Sequence, residues 1–190
     1  MTFSEATLGR HTSRAYGVFT PAGRRECRGS PASTGGGFIN CTAGWFRKEL
    51  KRAARGSVVH EMVHVVQSYG RRTAPNATRL PGWLTEGIPD YIRFYLYEPQ
   101  TKGAEITARN LERAKYNASY RVTGNFHNWV SQKYDPNIVR KLNAAARAGA
   151  YSEEVWKSAT GKTSPELGAE WKQAHEERLA VATKKTPTPP

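Results

Sequence analysis

Residues 57–67 read Ser57-Val58-Val59-His60-Glu61-Met62-Val63-His64-Val65-Val66-Gln67, an apolar run interrupted by two histidines, a glutamate and a glutamine. On a helix turning about 100° per residue, His60, His64 and Gln67 fall within roughly 60° of one another, with Glu61 beside them. Nearly all the remaining circumference is apolar. The segment is therefore expected to be a buried helix presenting one polar stripe, since imidazoles and a carboxylate are costly to bury without partners. Histidines at i and i+4 bring their ring nitrogens one turn apart, near enough to share a metal bound at about 2.0–2.1 Å. Zinc is the favoured occupant. Glu61 cannot reach the same ion and is left to take a proton from the metal's water.

A catalytic zinc needs a third protein ligand and an open position. The segment Gly82-Trp83-Leu84-Thr85-Glu86-Gly87-Ile88-Pro89-Asp90-Tyr91 offers one. Read as a second helix, it puts Glu86, Asp90, Arg93 and Tyr97 on one face and Ile88, Ile92 and Tyr95 on the other. Glu86 follows His64 by 22 residues, enough for the first helix to end and a second to return antiparallel. Asp90, one turn beyond Glu86, is placed to accept the free N–H of a ligand histidine and hold its tautomer. Thr85 is expected to cap this helix, which runs to about Tyr97. Pro89 would then remove only the first intrahelical donor.

At 190 residues the chain is expected to form one domain. A net charge of +13 and a pI near 10.0 argue against a neutral cytosolic enzyme. They point to an anionic partner such as nucleic acid, lipid or an acidic wall polymer, without choosing among them. A hydrophobic fraction of 38% excludes full disorder, and no apolar run is long enough for a membrane span. The first 30 residues lack the apolar core of a signal peptide. Cys27 and Cys41 flank a Gly/Ser-rich stretch that is flexible enough to let them pair, which would imply an oxidising compartment; two unpaired thiols are the other reading.

Short β-like runs occur at residues 16–20 and 37–41, and from about Trp45 the pattern is helical. Ser57 is expected to cap a helix over residues 58–68 that stops at Gly70. Thr107, Asp135-Pro136, Ser152 and Ser164-Pro165 open further helices, and Val122, Phe126, Trp129 and Val130 form an apolar stripe on another. His11 and His175 read as surface residues. Residues 181–190 read as a Pro/Thr/Lys tail or linker.

The pairing of His-Glu-x-x-His with a later Glu-x-x-x-Asp resembles the gluzincin pattern of thermolysin-like metallopeptidases. It resembles still more closely the basic secretory protein family, known from plants with fungal and bacterial relatives. The likeness continues through Tyr120-Arg121-Val122-Thr123, Lys133-Tyr134-Asp135, Arg140-Lys141-Leu142-Asn143 and Thr160-Gly161-Lys162, and covers roughly residues 36–175. It implies an α+β, zincin-like fold in which a small N-terminal sheet precedes a mainly helical domain, with the metal between the His-Glu-x-x-His helix and a Glu-bearing helix. Residues 36–180 would form the peptidase domain, behind an irregular and shortened segment 1–35. The resemblance further implies a secreted zinc peptidase, with His60, His64 and Glu86 as Zn²⁺ ligands, Glu61 as general base and Asp90 orienting a ligand. Gly124 and His127 depart from the alanine and leucine expected in the family.

The oxyanion of peptide hydrolysis needs a donor besides zinc. Tyr120, on the helix expected to cross the cleft, is the candidate, with Tyr91, Tyr97, Tyr116 and His127 competing. The expected partner is a peptide or protein substrate, acted on by a monomer. A second reading is a cationic binding or defence protein for nucleic acid or an anionic polymer, with a structural or vestigial zinc site. Against it, the basic pairs Arg24-Arg25, Lys51-Arg52, Arg71-Arg72 and Lys184-Lys185 lack interleaved aromatics, and a purely structural site has no need of Glu61.

Overall fold

The computed structural model describes residues 31–35, 38–69, 77–118 and 120–185. The expected strand at 16–20, as well as His11, Cys27, Gly70 and the end of the tail, lie outside them. The chain is α+β: a two-stranded antiparallel sheet followed by helices. Strand β1 (Ala32–Gly35) pairs with β2 (Phe38–Cys41), Ala32 facing Cys41 and Gly35 facing Phe38. Short helix α1 (Ala43–Glu49) leads into α2 (Ala54–Gln67), the helix of the histidine pair.

Helix α2 begins at Ala54, a turn before the cap expected at Ser57. Ser57 is inside the helix, where its Oγ donates to the Ala53 carbonyl at 3.1 Å, a back-bond that satisfies the hydroxyl. The helix ends at Ser68, which adopts a left-handed φ of 47° and donates its N–H to the His64 carbonyl. Burial is also less complete than the apolar run implies. Val63 is in the core, yet Met62 is 53% exposed and Val58, Val65 and Val66 are half-buried. Strands β1 and β2, α1, the helix α3 (Gly82–Tyr91) and the stretch Ile92–Tyr97 after it pack against α2, while Met62 stays exposed.

Helix α3 (Gly82–Tyr91) starts three residues before the expected Thr85 cap, with Pro81 in its N-cap position. Pro89 is therefore in the helix interior. The chain continues without a break into a π-helical stretch, Ile92–Tyr97, closed by the Glu98 N–H bonding to the Arg93 carbonyl. This end at Tyr97 agrees with the sequence reading. Arg93 is buried and points at the start of α2, donating to Glu98 Oε1 at 2.6 Å, Ser57 Oγ at 3.3 Å and the Ala53 carbonyl at 3.3 Å. It pins the second helix to the first.

Short α4 (Ala108–Leu111) has the expected Thr107 cap, with Asn110 returning the bond in a capping box. Helix α5 (Tyr120–Lys133) packs closely on α3. The approach depends on two glycines. A Cβ on Gly87 would strike the Thr123 methyl, and one on Gly124 would lie 2.9 Å from the Tyr91 nitrogen. The Gly124 departure thus matches a contact with no room for alanine. His127, the other departure, is fully buried beside Trp83, Phe126 and Trp156. Helices α6 (Ile138–Ala148), α7 (Glu153–Thr160) and α8 (Ser164–Lys185) complete the core with Leu142, Trp156, Leu167 and Trp171. Gly149 closes α6, and Ser152 occupies the N-cap position of α7, both as expected. Helix α8 extends through Lys185, into the stretch read as a tail.

His175 differs from its surface reading. It is half-buried on α8, with Nε2 2.9 Å from Asn125 Oδ1, an oxygen that also accepts from Trp171 Nε1. Among the described residues, no helix is long and apolar enough to cross a membrane.

Candidate metal centre

The i, i+4 spacing on α2 brings the two imidazoles together, with His60 Nε2 3.1 Å from His64 Nε2. Helix α3 packs on α2 and places Glu86 Oε2 3.1 Å from each of those nitrogens. Three ligand-type atoms thus form a nearly equilateral triangle, and the group could hold a metal ion. For a tetrahedral ion with bonds of about 2.0–2.1 Å, ligand atoms stand about 3.3 Å apart. The observed triangle is within a few tenths of an ångström of that spacing, with the two imidazoles and one carboxylate that such an ion takes.

The outer nitrogens are also held. His60 Nδ1 is 2.7 Å from Asp90 Oδ1, so the carboxylate can accept the ring's N–H. His64 Nδ1 is 2.7 Å from Gln67 Oε1. Burial disfavours a charged imidazole at His60, but hydrogen bonds and charge from Asp90 and Glu86 outweigh it and raise the ring to about 9. At His64, burial is likewise overcome by Glu86, and the pKa is raised. Glu86 shows the reciprocal effect: burial opposes its charge, while the two rings pull it down to about 2.

Glu61 is buried on the adjoining face of α2. Its Oε2 accepts from Thr34 Oγ1 at 2.7 Å, and its main-chain carbonyl lies 3.0 Å from the same hydroxyl. Strand β1, inside the segment expected to be irregular, thus reaches the site. The carboxylate opens onto a cleft of about 330 Å³ that is also lined by Ala32, His60, Asp90, Tyr120 and Arg121.

Tyr120, the first residue of α5, is 55% exposed and sets its ring edge-on to His60, 6.2 Å between centroids. The carboxylate of Glu86 first, then partial burial, Asp90 and Glu61, raise its hydroxyl pKa. Of the competing residues, Tyr91 stacks on Tyr95, Tyr116 packs on Trp83 and Phe126, His127 is enclosed in the core, and Tyr97 is half-buried at the end of the π-helical stretch. Sequence reading gave no role to Thr34 or Gln67. Gln67 was legible as a member of the polar stripe, whereas Thr34 gave no signal, since it comes from a strand 27 residues away. Of the two cysteines that could pair, Cys41 ends β2 as an exposed residue, and Cys27 lies outside the described residues.

A family model described as BSP, peptidase of plants and bacteria, matches residues 38–171, from β2 into α8 and through every residue of the triangle. Searches of the curated proteins and of the solved structures return no match.

Proposed function

Because the chain belongs to the basic secretory protein family, the peptidases of plants and bacteria, we propose that it is a secreted zinc-dependent endopeptidase in which His60, His64 and Glu86 hold the ion. The observation that carries the reading is the 3.1 Å triangle of His60 Nε2, His64 Nε2 and Glu86 Oε2 beside a buried glutamate. Electrostatics favour it over the polyanion-binding reading. The whole chain carries +13 and Arg93 and Arg121 line the same cleft, but Arg93 is paired with Glu98, and Glu61, Glu86 and Asp90 converge around the histidine pair, which suits a cation.

Bound zinc would supply a water with its pKa lowered toward about 7 and would polarise a peptide carbonyl. The chain supplies the rest. Glu61 accepts the proton of the attacking water and returns it to the leaving amine. Thr34, donating to Glu61 Oε2, holds the carboxylate in place beside the cleft that Glu61 lines. Asp90 accepts the Nδ1–H of His60 and so leaves Nε2, the nitrogen on the Glu86 side, to hold the ion. The Tyr120 hydroxyl donates to the developing oxyanion, for which its edge-on position over His60 is suited.

Glu61→Gln keeps the shape and Thr34's acceptor while removing the base. It should bind close to one equivalent of zinc and lose peptide cleavage by about 10²–10⁴-fold. Metal analysis and a quenched-peptide assay on the same preparation check both halves. Cleavage at the parental rate would refute the mechanism.

A further inference from the structure

Pro89 lies inside α3 and has no backbone N–H. The carbonyl of Thr85, four residues earlier, is therefore deprived of the donor that a regular helix would give it. A half-buried acceptor in this position gains from another donor that reaches it. Gln67 provides one from α2. Its side chain is 2% exposed, and its Nε2 donates to the Thr85 carbonyl at 2.9 Å. Its Oε1 is 2.7 Å from His64 Nδ1. With the amide nitrogen engaged by a carbonyl, the oxygen is the end facing the ring. An amide oxygen only accepts, so His64 donates from Nδ1, and Nε2, on the side of Glu86 and His60, is the nitrogen left for a metal.

We infer that Gln67 is a positioning residue of the centre, coupling the His64 ring to the carbonyl that Pro89 leaves open. The single amide sets the tautomer of one ligand and the register of the helix bearing the next, because Glu86 directly follows Thr85. The two rings are then held by different devices from the same helix: His60 by the Asp90 carboxylate, and His64 through Gln67 by a main-chain carbonyl. This inference rests on the metal-site reading above.

Zinc titration against a competing chelator, with the melting temperature of the zinc-free protein measured in parallel, tests it on the parent, Gln67→Met and Pro89→Ala. Gln67→Met keeps the volume and removes both bonds, and should weaken zinc by about 10–100-fold. Pro89→Ala restores a helix donor that competes for the Thr85 carbonyl. It should weaken zinc several-fold while the zinc-free protein melts no lower, a combination that a merely structural amide would not produce. Gln67→Met binding zinc within about twofold of the parent would overturn the inference. If Gln67→Met does not fold, Pro89→Ala decides alone: weakened zinc supports the coupling, and parental affinity overturns it. A parent that takes up no zinc would instead overturn the metal reading itself.

Discussion

His127 shows how a single buried base ties stability to pH. It is enclosed by Trp83, Phe126 and Trp156, and burial depresses its pKa to about 4, opposed only weakly by the backbone of Gly87. Its unfolded value is near the ordinary 6.5. Between these values the unfolded chain binds a proton that the folded chain refuses. This contribution is intact above about pH 6.5, falls as pH drops, and reaches a loss of order 3 kcal/mol near pH 4. His127→Leu should therefore flatten the acid side of the stability profile, measured as urea midpoint against pH over that interval. An unchanged acid limb would show that other groups dominate it. At this scale the His60, Glu61 and His64 set was legible because the helix period alone fixes the angles between them. The burial of His127 and the partner of His175 were not, since a histidine's neighbours in sequence do not say what covers it.

The elements meet through small residues. Helices α3 and α5 approach so closely that Gly87 has no room for a Cβ against Thr123, while Gly82 at the start of α3 has open space around it. Gly87→Ala should cost about 1–3 kcal/mol through overpacking, whereas Gly82→Ala should change stability by less than about 1 kcal/mol. Thermal melts of the two variants check the contrast, and equal behaviour would count against the close packing. The consequence extends to the site, because α3 carries Glu86 and Asp90 and α5 carries Tyr120. Helix existence was readable from periodicity and from Gly149 and Ser152 at helix ends. The start of α3 was not: Pro89 was read as marking the first turn, yet the helix begins at Gly82 and Gln67 serves the carbonyl Pro89 leaves.

Over the whole molecule the centre acts as a clasp between α2 and α3. In the proposed zinc form, free zinc at about 100 times its dissociation constant should stabilise the fold by about 2.7 kcal/mol, raising the melting temperature by roughly 5–10 °C. Chelation should reverse the rise and His64→Ala should abolish it, as calorimetry with and without zinc would show. A similar rise in His64→Ala would place the ion elsewhere. What the sequence determined by itself is local: two imidazoles and a carboxylate on one helix stripe, and a second helix with Glu86 and Asp90 on one face. These follow from a fixed turn per residue, which needs no knowledge of the rest of the chain. The tertiary structure decided everything requiring two distant segments to meet at a given depth. It brought Thr34 to Glu61 and Tyr120 to His60, left Met62 exposed on a helix that reads as buried, and joined Gln67 to the Thr85 carbonyl. Such contacts depend on interhelical spacing, set here by glycines and ring volumes in the core, and no local period encodes that distance.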